Sequence, residues 1–317
     1  MALIDRVDIF TQAMNTAFVN AYDAIAEPAP IEKAMTEVPS KGRIENYPWI
    51  YPPPLLRRWL GYRRYAKLGE TNYRVPNITY TAEFEVLLED LEDDQVDGFK
   101  RQAAAMAEAA KIWKGIQCLQ VLALGQSTTG FDGSNFFAPT HIIGTGSNIV
   151  AGTATGTDGV THAMAALVVK SNLVKPLLWQ NREGPDFRTN TGTDDASEKR
   201  MVRWWADLRG AAAFGFWWDA VLVKFTNTPT VADMQTTLGT VNARFRQFIY
   251  PKNLLDDVNQ YPHGQTEFNS DTVVIVCSSL IDHILRQALT LSLIGQTENF
   301  YKGFARQITS GYLDGVV

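Results

Sequence analysis

The chain has 317 residues with a formal net charge of −5, 45% hydrophobic and 20% charged residues. That length supports one large domain or two modest ones with a real core, and the acidic balance argues against a free-standing nucleic-acid binder, which needs a basic footprint. No apolar run reaches the roughly 18 residues of a membrane span, and the acids of MALIDRVDIF stand where a signal peptide would be apolar, so neither membrane insertion nor secretion is expected.

Residues 3–26 carry Ile4, Val7, Phe10, Met14, Phe18, Tyr22 and Ile25 at helical spacing and stop at Pro28 and Pro30. An amphipathic helix on a proline tether packs either on its own core or on a neighbouring subunit, and the pattern fits both. Tyr47–Thr81 differs in composition. Pro52–Pro54 is followed by Arg57, Arg58, Arg63, Arg64 and Lys67, interleaved with Trp59, Tyr62 and Tyr65. Basic residues among aromatics suit nucleic acid. In an acidic chain they better suit a projecting two-stranded loop that meets acids on a neighbour. An isolated hairpin is marginal in water, and so many cations on one repel each other. The Glu85–Asp94 region is the expected acidic partner, with Trp59, Arg63, Arg64 and Lys67 on one side of the contact and Glu89 and Asp93 on the other.

Residues 80–86 alternate as a strand and lead into the longest element, Asp93–Gly125. Val96, Phe99, Ala103, Met106, Ala110, Trp113 and Ile116 fall in steps of three and four. Acids precede this helix, where they suit the positive end of its dipole, and Gly125 is a plausible stop. About 30 residues at ~1.5 Å each give a spine of roughly 45 Å.

Gln126–Val160 is rich in Gly, Ser and Thr. It lacks the lysine of a phosphate loop and the third glycine of a dinucleotide fingerprint, so it reads as turns. Ala165–Gln180 and Glu198–Phe225 read as β stretches separated by a polar loop, NREGPDFRTNTGTDDAS. The pairs Trp204/Trp205 and Trp217/Trp218 would place one ring on each face of a strand. Pro229–Ile249 reads as a helix, Asp271–Cys277 as a buried strand, Ser278–Leu293 as a serine-capped helix, and the last twenty residues as one more strand.

The chemistry of an enzyme is missing. His141, His162, His263 and His283 do not sit at metal-ligand spacing. There is no Gly-x-Ser-x-Gly, and Ser278-Ser279 opens a helix. Asp282-His283 are adjacent on a helix and point apart. Glu85, Glu89, Asp90, Glu92, Asp93 and Asp94 are read as a dipole-facing, solvated cluster rather than a metal site. Cys118 and Cys277 are expected to be buried free thiols, in keeping with assembly inside a cell.

Six runs stand in a fixed order: WLGYR (Trp59–Arg63), EFEVLLEDLEDDQ (Glu83–Gln95) with the spine, FDGSNFFAPTH (Phe131–His141), KPLLWQNREGPDF (Lys175–Phe187), RGAAAFGFWW (Arg209–Trp218) and DTVVIVCSSLIDHILRQAL (Asp271–Leu289). In that order they resemble the Mu-like phage major head subunit family. Ala138 and Thr140 stand where that family tends to carry acids, and the Gly/Thr-rich run 144–161 is not one of its strong features.

The resemblance implies an α+β tailed-phage capsid fold of the Hong Kong ninety-seven type. Its expected parts are an N-terminal arm (1–45), an extended loop (46–82), a peripheral domain (83–125 with 163–225) and an axial domain (126–162 with 226–317). It implies a major capsid protein that assembles with itself into hexamers and pentamers of an icosahedral virion head, built in the host cytoplasm. Its implied partners are portal, scaffolding and decoration proteins and packaged double-stranded DNA held without sequence-specific binding. No catalytic residue, cofactor, metal or membrane is implied. The rivals are an encapsulin-like compartment with a protein cargo, and an α/β hydrolase or transferase with a pocket around Asp132 and His141.

Overall fold

The computed structural model describes residues 3–25, 29–47, 59, 61, 73–87, 89–90, 96–143, 146–170, 174–190, 201–247, 267–294 and 297–316. Two sheets carry the fold. The first has the order β1-β9-β10-β4, built from β1 (Met35–Pro39), β4 (Ile78–Leu87), β9 (Leu177–Asn190) and β10 (Met201–Phe214). β1 runs parallel to β9, and β10 is antiparallel to both of its neighbours. The second has the order β15-β12-β8-β11-β7, from β7 (Ile149–Ala151), β8 (His162–Val168), β11 (Ala220–Phe225), β12 (Val273–Cys277) and β15 (Arg306–Thr309). Short antiparallel pairs complete the strands: β2 (Ile44–Asn46) with β3 (Arg74–Pro76), β5 (Ile142–Ile143) with β6 (Gly146–Ser147), and β13 (Leu293–Ile294) with β14 (Thr297–Glu298).

Two helices cover the first sheet: α1 (Leu3–Ala24) and the spine α2 (Val96–Ala123). On β10 the alternation of burial points Val202, Trp204 and Ala206 at them. Phe10, Met14 and Phe18 of α1, spaced by four, meet Ala103 and Ala107 of α2 in the same cluster. Phe10 meets Trp204 edge-on at 5.4 Å, and Phe18 stacks on Phe187 at 4.8 Å. α1 therefore packs on its own subunit's core, the first of the two packings its pattern allowed. The spine ends where Gly125 passes Phe137, since a Cβ at Gly125 would come within 2.6 Å of that ring.

The second sheet carries α3 (Val231–Gln247) and α4 (Asp282–Thr290) on one face. All seven residues of β8 are buried. Met164, Ala166 and Val168 face α3 and α4, while Ala163, Ala165 and Leu167 face a second core shared with the spine and the first sheet. This strand has no solvent face, which explains its unbroken apolar run. Ser278 accepts from Leu280 N–H at the turn that leads into α4, and Cys118 and Cys277 are free and buried, as expected.

Three expectations are corrected. Asn181–Asn190 is not a polar loop but the outer half of β9. From Arg182 on, β9 pairs with β10 alone, beyond the reach of β1, so little of it is buried and its sequence reads as a loop. Residues 165–180 are not one stretch, because β8 and β9 belong to different sheets. Residues 198–225 likewise break between β10 and β11. Trp217 and Trp218 lie in the 3-10 turn at that break, both buried, instead of on opposite faces of a strand. The rule does hold in part for the other pair: Trp204 is fully buried and Trp205 half-buried.

Phe18→Ala should destabilise the isolated, unassembled subunit by about 3–5 kcal/mol, the usual cost of emptying a buried aromatic site, read by urea unfolding. An unchanged midpoint and slope would mean that α1 belongs to a neighbour's core.

Candidate inter-subunit surface

The basic loop springs from the β2–β3 pair, and its root is firmly tied. Glu45 Oε1 accepts from Lys41 N–H and Gly42 N–H, both at 2.6 Å, and from Ser40 Oγ at 2.9 Å. Those donors, the Gly42 and Lys41 amides foremost, hold its carboxyl below the usual range. The Asn77 amide donates to Ser40 Oγ and to the Gly42 carbonyl, both at 2.7 Å. Deeper in, Tyr47 Oη donates to Gln180 Oε1 at 2.6 Å, and Gln180 donates onward to the Val75 carbonyl at 3.3 Å. Phe214 N–H donates to Tyr73 Oη at 3.0 Å. Burial pushes the Tyr73 hydroxyl up to about 12 and raises that of Tyr47 too. Both strands at the root are thus bolted to β9 and β10.

Of the residues expected in the contact, Trp59 is 64% exposed, and Glu89 is exposed just past β4, at the start of the strand-to-spine connection. Arg63, Arg64, Lys67 and Asp93 lie outside the described residues. Glu85, counted among the acids left for a neighbour, instead meets Arg203 of the adjacent strand at 3.3 Å on an exposed face. Such a pair is worth about 0–1 kcal/mol. Its cross-strand partner could not be read before β4 and β10 were known to be neighbours.

Asp132 and His141, the pair behind the enzyme rival, do come together, with His141 Nε2 and Asp132 Oδ2 at 2.8 Å. His141 is only 4% exposed. Its Nδ1 faces the Phe136 carbonyl at 3.1 Å, and its ring stacks on Trp217 at 4.2 Å and 6°. The buried Asn148 amide donates to the same carbonyl at 2.8 Å, and its oxygen accepts from Ala138 N–H. Both ring nitrogens and one ring face are engaged, so the histidine clamps the 126–148 loop onto the Trp217 turn and presents nothing to a substrate. Burial works against the Asp132 charge, but the hydrogen bond and charge of His141 and the Ser134 N–H outweigh it and lower its pKa. Among the described residues no three His, Cys, Asp or Glu side chains are grouped to hold a metal ion, and no helix is long and apolar enough to cross a membrane.

Comparison with known proteins agrees with this architecture. The family model described as Mu-like prophage major head subunit gpT matches residues 7–243. The major capsid protein of Escherichia phage Mu is 28% identical over 222 residues, covering 67% of this chain and 73% of that protein. The fold matches that of the bacteriophage JBD30 capsid with a TM-score of 0.70 at 18% identity, over 92% of this chain and 93% of that one. It matches the JBD30 procapsid at 0.71 and 22%, over 95% and 98%. A further match, 0.67 at 17% identity over 91% and 92%, is the JBD30 capsid decorated with minor capsid protein trimers.

The Asp132 clamp gives a pH test. A carboxyl held below its unfolded value contributes stability that is present above about pH 4 and lost as pH falls through the folded value. The stability gap between wild type and Asp132→Asn in urea should therefore be full at neutral pH and close on acidification. A gap that stays constant down to about pH 2 would show that the pair contributes no charge-dependent stability.

Proposed function

The chain belongs to the Mu-like prophage major head subunit family, and from that footing we propose that its copies form the hexamers and pentamers of a closed icosahedral head around double-stranded DNA. It is the major capsid protein of a tailed phage, and its place is the virion head. The observation that carries this is the family match across residues 7–243, which runs through the loop root, the spine, the whole first sheet and three of the five strands of the second. The fold shared with the JBD30 capsid and procapsid supports it.

In this reading β1, β4, β9 and β10 with α1 and α2 form the peripheral part. β7, β8, β11, β12 and β15 with α3 and α4 form the axial part. The division then falls at the β8–β9 and β10–β11 connections, which moves β8 and β11 out of the expected peripheral segment 163–225 and α1 out of the expected arm 1–45, because β8 and β11 pair within the second sheet and α1 packs on the first. Assembly takes place in the host cytoplasm. Portal, scaffolding and decoration proteins join the shell, and DNA is enclosed without sequence-specific contacts, as suits an acidic wall. The work of the chain is structural: it catalyses nothing and takes no cofactor.

The loop of residues 48–72 reaches the adjacent subunit. Trp59, Arg63, Arg64 and Lys67 meet acids near Glu89 and Asp93 of that neighbour. The root described above supports this, because its bonds to β9 and β10 fix where the loop leaves the subunit.

Purified protein should run as capsomers or shells by size exclusion with light scattering. Arg63→Glu should leave the circular dichroism unchanged while shells fail to close or fall apart in modest salt, since breaking a partly buried Arg–carboxylate pair costs about 3–5 kcal/mol. Normal shells from Arg63→Glu, with unchanged salt resistance, would remove this residue from the contact. A wild-type monomer under all conditions would contradict the coat reading itself.

A further inference from the structure

Phe300 is 80% exposed, the highest value among the large hydrophobic residues described. It is not on a loose loop. The preceding Asn299 is 6% exposed and fully engaged. Its amide donates to the Ala288 carbonyl at 2.6 Å and the Leu291 carbonyl at 2.8 Å, and its oxygen accepts from Tyr301 N–H at 2.9 Å and Gln235 Nε2 at 2.8 Å. Gly303, at φ +72°, donates its N–H to the Leu289 carbonyl at 2.9 Å, and Lys302 Nζ donates to Ser292 Oγ. The turn is therefore tied to the end of α4 and to α3, and it projects one phenyl ring into water. An aromatic side chain with only two rotatable bonds on a tied backbone loses little entropy on docking.

A second, independent feature lies beside it. Gln235, which bonds the turn, sits on α3 next to an outer face made of Ala232, Thr236, Thr240 and Ala243, and no charged residue occurs from Met234 to Ala243. The hydroxyls of Thr236 and Thr240 bond back to the Ala232 and Thr236 carbonyls at 3.2 Å. What the face presents outward is methyl groups. The outer face of a surface helix is ordinarily charged or polar, so a methyl surface next to an exposed aromatic needs an occupant.

Its charge indicates which. Copies of one chain carry the same net charge of −5, so they approach most easily where charge has been cleared. A projecting ring and an uncharged face on the same unit also supply the two unlike surfaces of a head-to-tail contact, which makes a ring where the rotation between copies closes. We propose that Phe300 of one copy seats on the Ala232–Thr236–Thr240–Ala243 face of the next copy within a capsomer. This rests on the coat reading and adds the residues of one contact.

Phe300→Ser and Thr236→Glu each change a surface side chain, so both variants should melt with wild type to within about 2 °C as unassembled subunits. The concentration needed for assembly, followed by light scattering, should rise at least about tenfold in each, and Phe300→Leu should restore it most of the way. Assembly of Phe300→Ser and Thr236→Glu at the wild-type concentration would overturn the inference and leave the coat reading standing. A wild-type chain that stays monomeric at every concentration would take down the coat reading, and this contact with it.

Discussion

The fold depends on how the chain crosses twice between its two sheets in one small volume. Gly215 donates its N–H to the Pro176 carbonyl at 2.8 Å, and its Cα lies so near the Lys175 carbonyl that no side chain fits. The β8–β9 and β10–β11 connections are pressed together there. Just beyond, Trp217 and Trp218 fill the corner. Phe131 packs edge-on to Trp218 and Phe216, and His141 lies flat on Trp217. The Asp132–His141–Asn148 clamp draws the Gly-rich segment onto the same point. The spine joins through Leu122 and Cys118. The two sheets thus share one buried aromatic corner, which ties them into one core.

From that core the parts assigned to assembly project differently. The basic loop leaves from a hydrogen-bonded root, so the structure fixes its base. The Phe300 turn is tied by hydrogen bonds at Asn299, Lys302 and Gly303. A wall subunit needs both kinds of part: a tied one to set the angle to a neighbour, and a reaching one to hold it. Surface ion pairs such as Arg203–Glu85 add little to either. The buried polar residues Gln180 and Asn299 matter more, because each spends several satisfied hydrogen bonds on fixing where a projection starts.

Much of this was legible in the sequence because burial has a period. The α1, α2 and α3 helices show steps of three and four, and β12 shows an apolar run bounded by polar residues. Where burial loses its period the sequence misleads. The outer half of β9 has a partner on one edge only and carries the composition of a loop. Residues 198–225 stay largely apolar through the crossing from β10 to β11, where the corner is as buried as the strands and Gly215 marks the break, whereas the crossing from β8 to β9 does carry Lys170, Ser171, Asn172, Lys175 and Pro176, a break that the apolar runs on either side obscured. The Asp132–His141 pair spans a turn whose shape depends on Phe136 and Asn148, so its members could be named but not their role. Nothing in the sequence could show that Phe300 is exposed, or that the Thr236 and Thr240 hydroxyls bond back to their own helix.

Electron cryomicroscopy of the assembled protein tests the central claim most directly. A coat subunit gives closed shells of hexamers and pentamers, with each loop of residues 48–72 lying on an adjacent copy. Particles without capsomer symmetry, or a loop folded back on its own subunit in closed shells, would contradict it.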